Sequence, residues 1–120
     1  MKKMITILED DEAIRELCTL LFTEEGYLVE SYSTTSSFFK SQSVPDIYLL
    51  DVRLPDGDGL DVCSGLKADP KFSNVPVIMM SAHLEQSSLK GKCTAECFIA
   101  KPFDIENLIL KAQQLTTNQS

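Results

Sequence analysis

The stretch MITILEDD, residues 4–11, places an acidic cluster directly after a short apolar run. Three later apolar runs end in the same way on a polar residue, at Asp51, Ser81 and Lys101. Short apolar runs rich in β-branched residues are typical of strands that are buried on both faces of a parallel sheet. Such a sheet binds ligands beyond the carboxyl ends of its strands, so we expect these polar residues to share one cleft.

Predicted strands and helices alternate along the whole chain. The strands cover Met4–Leu8, Tyr27–Tyr32, Asp46–Leu50, Val77–Met80 and Cys97–Ala100. The first helix follows the acidic cluster, and the second lies within Ser33–Ser43. The third carries Leu60, Cys63 and Leu66, and the fourth covers Leu84–Lys92. The fifth starts after Asp104, which is its predicted N-cap. Strands that alternate with helices imply right-handed crossovers and helices on both sheet faces. We therefore predict an α/β fold with a five-stranded, doubly wound parallel sheet.

The pattern also predicts finer details of helix faces and loops. Leu17 and Ile105 stand at the helical spacing of an inward-facing apolar stripe. The segment Leu54–Gly59 is rich in Pro, Asp and Gly, which predicts a turn-rich loop. The polar residues Thr116–Ser120 are expected to form a tail or linker stump after the last helix.

Length and charge limit the classes of protein that this chain fits. Its 120 residues suit a single domain over residues 1–120. Eighteen acidic residues outnumber eleven basic ones, and the net charge of −7 disfavours direct binding to nucleic acid. No apolar run approaches the roughly 18 residues of a membrane span, and the N-terminus lacks a signal-peptide core. We therefore expect no membrane partner and a cytoplasmic location.

The four cysteines favour structural thiols over a zinc site. Cys18 and Cys63 fall on apolar helix positions, where a thiol behaves as a small hydrophobe. Cys93 and Cys97 have the spacing of half a zinc site, but the chain has no second pair and His83 is its sole histidine. Reduced, structural cysteines agree with a cytosolic protein.

The predicted cleft brings together the carboxylates of Glu9, Asp10 and Asp51. Two carboxylates about 4 Å apart repel each other by roughly 4 kcal/mol at an effective dielectric near 20. A divalent cation removes this repulsion, and oxygen ligands without nearby Cys or His favour Mg²⁺ or Mn²⁺. The sequence therefore predicts a Mg²⁺ site beside a basic residue, Lys101.

Taken together, these strand-end residues resemble the receiver domain of two-component response regulators, from Met4 to about Leu115. The spacings of 41 residues from Asp10 to Asp51 and 30 from there to Ser81 fit that family. The 20-residue step to Lys101 also fits, although it is about one residue short. The resemblance implies a flavodoxin-like fold with the strand order 2-1-3-4-5.

The resemblance also implies a role for each site residue. It implies that Asp51 is the phosphoacceptor and that Lys101 is the cation that contacts the phosphoryl group. Ser81 would sense the phosphoryl group through its hydroxyl, and Phe98 would be the aromatic switch residue. The implied metal ligands are Glu9, Asp10, Asp51 and the backbone carbonyl of Arg53. In the family the peptide bond before the equivalent of Pro102 is cis.

The function implied is that of a phosphoacceptor switch in a two-component or phosphorelay system. A histidine kinase or phosphotransfer protein would donate to Asp51, and the chain would catalyse only its own phosphorylation and dephosphorylation. The altered surface would lie within Leu84–Leu115 and engage an output protein or an effector domain. Two alternatives stay open: a haloacid-dehalogenase-like phosphotransferase, which needs a second Asp where the chain has Arg53, and a degenerate receiver that only binds proteins.

Overall fold

The computed structural model describes residues 2–41, 43–82 and 94–117. Five parallel strands form the main sheet: β1 (Met4–Leu8), β2 (Leu28–Tyr32), β3 (Ile47–Asp51), β6 (Val77–Ser81) and β7 (Cys97–Ala100). Two short strands, β4 (Arg53–Leu54) and β5 (Gly57–Asp58), form an antiparallel hairpin. The described helices are α1 (Glu12–Glu24), α2 (Thr35–Phe39), α3 (Gly59–Ala68) and α4 (Ile105–Thr117).

The strand order of the main sheet is β2-β1-β3-β6-β7, with every neighbouring pair parallel. Because β6 and β7 are the fourth and fifth strands of this sheet, the predicted order 2-1-3-4-5 is confirmed. In the register of the ladder, Leu8 pairs with Leu50, and Asp51 pairs with Met80. The carboxyl ends of β1, β3 and β6 therefore lie side by side at one edge of the sheet.

The sheet separates two apolar layers, each covered by helices. Phe22 of α1 and Leu108 of α4 pack with Leu49 on one face. Leu66 of α3 packs with Leu50 on the other face. Successive residues of β3 thus enter opposite cores, which explains why the central strands read as continuous apolar runs.

Helix α1 follows the prediction at its ends but differs on its outer face. The side chain of Asp11 accepts a hydrogen bond from the backbone N–H of Ile14 at 3.1 Å and forms the N-cap. Gly26, with φ of +92°, follows the C-terminus in the conformation that favours glycine. Cys18 is buried, but Leu17 is 39% exposed, so its predicted inward position is wrong. Adjacent helical residues differ by about 100° in direction, which turns Leu17 away from the sheet.

The last helix starts at the predicted residue, but the burial of its first residue and the position of its end differ from the prediction. Asp104 accepts hydrogen bonds from two backbone N–H groups of the first turn, as a capping residue should. Ile105 is 39% exposed, which contradicts its expected inward position. Thr116 belongs to α4 rather than to a tail, because it is buried and its Oγ1 lies 3.1 Å from Tyr27 Oη.

The segment after β3 is a hairpin rather than the predicted loop, and two of its aspartates cap helices. Asp58 accepts a hydrogen bond from the N–H of Leu60 at 2.7 Å and caps α3. The Asp56 carboxylate accepts the N–H groups of Thr35 and Ser36, which ties α2 to this hairpin and lowers the pKa of Asp56 to about 2. The predicted helix Leu84–Lys92 lies outside the described residues.

The described cysteines have the environment of structural thiols. Cys18 and Cys63 are fully buried, and Cys97 is half-buried on β7. Burial raises the pKa of the Cys18 thiol to about 11, which keeps it protonated. Cys93 and His83 lie outside the described residues. Within the described part of the chain, no helix combines the length and apolar character needed to cross a bilayer.

Candidate functional site

The acidic cluster after β1 divides into residues with different environments. Glu9 is fully buried, and its Oε2 accepts a hydrogen bond from the backbone N–H of Asp11 at 3.0 Å. Its own N–H donates to the carbonyl oxygen of Tyr32 on β2. Asp10 is exposed at the surface. One carboxylate of the predicted pair therefore faces into the protein and the other faces solvent.

The third carboxylate, Asp51, ends β3 and is only 5% exposed. Glu9, Asp10 and Asp51 each have one carboxylate oxygen that lies within 4.8 Å of an oxygen of the other two residues. Parallel pairing of β1 with β3 brings these oxygens together across about 41 residues of chain. The structure thus places the three predicted carboxylates in one cluster.

Lys101 brings a positive charge into this cluster from the end of β7. Its Nζ lies 2.5 Å from Glu9 Oε1 and 3.3 Å from Asp51 Oδ2. Its backbone N–H donates to the carbonyl oxygen of Ser81, which fixes the end of β7 beside β6. The Lys101–Pro102 peptide bond is cis, as the resemblance implied. One ammonium group therefore contacts two buried carboxylates.

Burial dominates the protonation behaviour of the two buried carboxylates, Glu9 and Asp51. It raises the pKa of Glu9 to about 7, although the hydrogen bond from Lys101 opposes the change. Burial also raises the pKa of Asp51, against the lowering effects of the hydrogen bond with Glu9 and the charge of Lys101. Burial acts to lower the pKa of Lys101, but the two carboxylates outweigh it, so that pKa is raised. Glu9 and Asp51 therefore hold a proton more readily than exposed carboxylates would.

The other residues predicted for the site lie around this cluster. Ser81 ends β6, is buried, and pairs in register with Ala100. Phe98 on β7 is half-buried and packs against the apolar layer beneath α2 and α3. Arg53 is exposed at the start of β4, two residues after Asp51. The predicted roles of these residues in sensing, switching and metal binding stay predictions.

Comparison with known proteins identifies the family. The chain matches the family model for the response regulator receiver domain over residues 5–113. This chain belongs to the response regulator receiver family. The receiver domain is 31% identical over 115 residues to the DNA-binding dual master transcriptional regulator RpaA of Synechocystis, covering 92% of this chain and 48% of RpaA. It is 34% identical over 112 residues to the transcriptional regulatory protein KdpE of Staphylococcus aureus, covering 90% and 47%. The chain thus spans about half the length of the curated relatives it matches.

Solved receiver structures share the fold over nearly the whole chain. The signal receiver domain of a signal transduction histidine kinase from Syntrophus aciditrophicus gives a TM-score of 0.90 at 27% identity, covering 98% of this chain and 92% of that one. The non-phosphorylated HemR receiver domain from Leptospira biflexa gives 0.84 at 28% identity, covering 96% and 94%. These likenesses agree with the parallel sheet and its strand order.

Gly59 is a residue of this receiver domain whose importance the sequence pattern did not reveal. A Cβ atom at this position would lie 1.8 Å from the carbonyl oxygen of Asp51. The Gly59 N–H also donates to the carbonyl oxygen of Val52 at 2.7 Å. Glycine therefore lets α3 begin directly against the backbone of the predicted phosphoacceptor. In the sequence, Gly59 resembles any other turn glycine of the segment.

Arg15 is a second residue that sequence reasoning missed. Its Nη1 donates to the carbonyl oxygens of Glu9 at 2.9 Å and Asp10 at 3.4 Å. A cation near the start of a helix is unfavourable with the helix dipole, so it calls for a specific partner. That conflict is the signal in the sequence that could have identified Arg15. The side chain positions the backbone of the acidic cluster.

The donor set of the cluster suits a small divalent cation. Carboxylate oxygens are the ligands that Mg²⁺ and Mn²⁺ prefer, and the cluster contains no thiol or imidazole among the described residues. Both oxygens of Glu9 already accept hydrogen bonds from Lys101 and Asp11. The exposed Asp10 and the end of β3 at Asp51 are therefore the more accessible donors.

Proposed function

We propose that this receiver domain is a phosphoacceptor switch of a two-component or phosphorelay system, with Asp51 as the acceptor. The observation that carries the proposal is the position of Lys101, whose ammonium contacts both Asp51 and Glu9 at the carboxyl edge of the sheet. A histidine kinase or a histidine phosphotransfer protein is the proposed donor, in the cytoplasm. The chain acts as a catalyst only on its own phosphorylation and dephosphorylation.

In the proposed reaction, a carboxylate oxygen of Asp51 attacks the phosphorus of a phosphohistidine. A P–O bond forms as the donor's P–N bond breaks, and the electron pair of that bond stays on the imidazole nitrogen. The Lys101 ammonium, 3.3 Å from Asp51 Oδ2, is placed to neutralise negative charge on the incoming phosphoryl oxygens. Attack of water on phosphorus later releases inorganic phosphate and restores the carboxylate.

The proposed metal is Mg²⁺, with Mn²⁺ as a substitute. Asp10, Asp51 and the backbone carbonyl of Arg53 would hold it directly, whereas Glu9 would act through a water molecule because its oxygens already accept hydrogen bonds. When bound, the ion supplies positive charge for the carboxylates and the phosphoryl oxygens. The three carboxylates of the cluster would otherwise repel a phosphoryl donor.

The proposed output involves the sheet edge formed by β6 and β7 together with α4. Ser81 would donate its hydroxyl to the phosphoryl group, and Phe98 would respond by repacking. The affected surface corresponds to the predicted face within Leu84–Leu115, of which residues 94–115 are described. Relatives named as DNA-binding regulators are about twice as long, and the net charge of −7 makes this chain a poor ligand for DNA. We therefore propose that a protein partner or an effector domain reads the switch.

The test is Mg²⁺-dependent phosphorylation by acetyl phosphate, followed by intact mass spectrometry. The parent chain should gain one phosphate, and the gain should disappear with EDTA or in Asp51→Asn. Asp61→Asn is the matched control, because Asp61 is an exposed carboxylate in the first turn of α3. This control should react as the parent does.

Three results would contradict parts of the proposal. If Asp51→Asn were phosphorylated as fast as the parent chain, the acceptor would be a different residue. If phosphorylation persisted in EDTA, the reaction would not require a metal ion. A folded parent chain that never reacts would favour the alternative of a degenerate receiver. The haloacid-dehalogenase-like alternative lacks support, because Arg53 occupies the position of its second aspartate.

A further inference from the structure

A cavity of about 230 Å³ lies between α2, α3 and the strands β1 and β3. Its lining includes the aromatic residues Phe38, Phe39 and Phe72, and also Thr6 and Tyr48. Phe39 is 61% exposed, so it stands at the outer end of the cavity. The space is therefore lined in part by aromatic rings and is open on the side of Phe39.

The hydroxyl groups of Thr6 and Tyr48, two of the lining residues, have unused hydrogen-bonding capacity. Thr6 and Tyr48 are neighbours in register on β1 and β3, and they are only 2% and 3% exposed. Neither hydroxyl hydrogen-bonds to a residue that the structure describes, yet neither oxygen is sealed inside the protein. Since both residues line the cavity, their oxygens are reached from it. Buried hydroxyls of this kind are stabilised by a partner that enters the cavity.

The size and charge of the cavity define the ligand that fits. A cavity of about 150 Å³ lined by apolar side chains is known to bind benzene, so the present one accommodates a substituted ring. Ring edges and faces on its walls favour an aromatic ligand. Asp69 on the lining disfavours an anion, and burial raises the pKa of Tyr48 to about 12, which keeps its hydroxyl neutral. We propose that this cavity binds a small neutral aromatic molecule that carries a hydroxyl group.

The cavity is separate from the proposed phosphorylation site. Tyr48 and Asp51 lie on the same strand, three residues apart, which corresponds to about 10 Å. The cavity opens between α2 and α3, whereas the carboxylate cluster lies at the carboxyl edge of the sheet. The inference therefore does not rest on the proposed function, and Asp51→Asn should bind the same ligands as the parent.

The test compares phenol, toluene and benzoate as probes in NMR titrations of the full ¹⁵N-labelled chain. Phenol and toluene have nearly the same size but differ by a hydroxyl, and benzoate adds a negative charge. We expect phenol to shift the resonances of residues around Phe38, Tyr48 and Leu66, and to bind more tightly than either of the other probes. Equal or weaker binding of phenol relative to toluene would overturn the proposal.

Three variants locate the binding and separate it from effects on folding. Tyr48→Phe keeps the ring, and loss of one hydrogen bond should weaken phenol binding about 5-fold while toluene binding is retained. Tyr27→Phe is the matched control, because its hydroxyl contacts Thr116 on the opposite face of the sheet. Gly65→Leu should block the cavity, since Gly65 lines it and a Cβ there meets no atom within 4 Å. Unchanged phenol binding in Tyr48→Phe or in folded Gly65→Leu would refute the site.

Discussion

Lys101 Nζ lies 2.5 Å from Glu9 Oε1, although 92 residues separate the two in the chain. The same ammonium lies 3.3 Å from Asp51, so it is the positive charge that two buried carboxylates share. The contact joins the ends of β1, β3 and β7 across the sheet.

The first prediction concerns the effect of pH on the metal-free protein. Burial raises the pKa of Glu9 from 4.5 to about 7, so the folded state binds this proton more tightly than the unfolded state does. The stabilisation is complete below the unfolded pKa of 4.5 and is lost as the pH rises through about 7. The free energy of unfolding, measured with urea in EDTA, should therefore fall across this range.

Glu9→Gln is the variant that isolates this effect. It should flatten the pH dependence, while part of the slope persists because burial also raises the pKa of Asp51. Asp61→Asn removes an exposed carboxylate and should retain the parent slope. If Glu9→Gln and the parent show the same slope, the buried Glu9 does not titrate as described.

The second prediction concerns Asp10, the exposed member of the carboxylate cluster. Asp10→Asn should raise the melting temperature of the metal-free protein, because it removes one of three like charges that meet within 4.8 Å. The same change should weaken Mg²⁺ binding about 10-fold or more. Calorimetry and titration with Mg²⁺ measure the two effects.

Asp11→Asn provides the matched control for Asp10→Asn. It removes the same charge one residue along the chain, and asparagine still serves as the N-cap of α1. Its Mg²⁺ affinity should stay close to that of the parent. Equal losses of affinity in both variants would indicate a general charge effect rather than a ligand role for Asp10.

The third prediction concerns the glycine at the start of α3. Gly59→Ala should destabilise the fold by roughly 3 kcal/mol, because the new Cβ would meet the Asp51 carbonyl oxygen at 1.8 Å and force the backbone to move. The displaced Asp51 should also accept phosphate more slowly. Urea denaturation and the acetyl phosphate assay measure these effects.

Gly65→Ala in the same helix is the matched control for Gly59→Ala. A Cβ at Gly65 meets no atom within 4 Å, so alanine should stabilise the helix by about 0.5–1 kcal/mol. Phosphorylation should be unaffected. Similar stability for the two variants would show that the approach of α3 to Asp51 is less close than described.

The fourth prediction concerns the proposed switch at Ser81. Beryllofluoride with Mg²⁺, a mimic of the phosphoryl group, should shift NMR resonances at Ser81, at Phe98 and along α4. In Ser81→Ala the shifts at Phe98 and α4 should shrink, while those near Asp51 persist. Full shifts at Phe98 in Ser81→Ala would mean that the signal travels by another route.

The pattern of the sequence predicted the sheet well because its signals are local. Each strand of the main sheet is a short apolar run, and each described helix has a capping residue directly before its first residue. The resemblance of the strand-end residues to receiver domains then implied the strand order, which β2-β1-β3-β6-β7 confirms. The clustering of Glu9, Asp10 and Asp51 followed from the general geometry of parallel sheets.

The errors occur where a residue's environment depends on neighbours distant in sequence. Leu17 and Ile105 have apolar side chains at helical spacing, yet no element covers them in the described chain, and both are 39% exposed. Thr116 looked like part of a polar tail, but the hydroxyl of Tyr27 gives it a buried partner. The spacing of apolar residues identifies the face of a helix that is suited to burial. It does not show whether another element packs against each residue of that face.

The sequence by itself determined the order along the chain of the five strands of the main sheet and of the described helices, and the residue types at the strand ends, because these depend on short-range patterns. Only the tertiary structure decided that Lys101 contacts Glu9 more closely than Asp51, that Arg15 binds the backbone of the acidic cluster, and that Gly59 lies against Asp51. Only the tertiary structure also decided that two hydroxyls line an aromatic cavity. These are distances of a few ångströms between segments far apart in the chain, and they are set by how whole elements pack together.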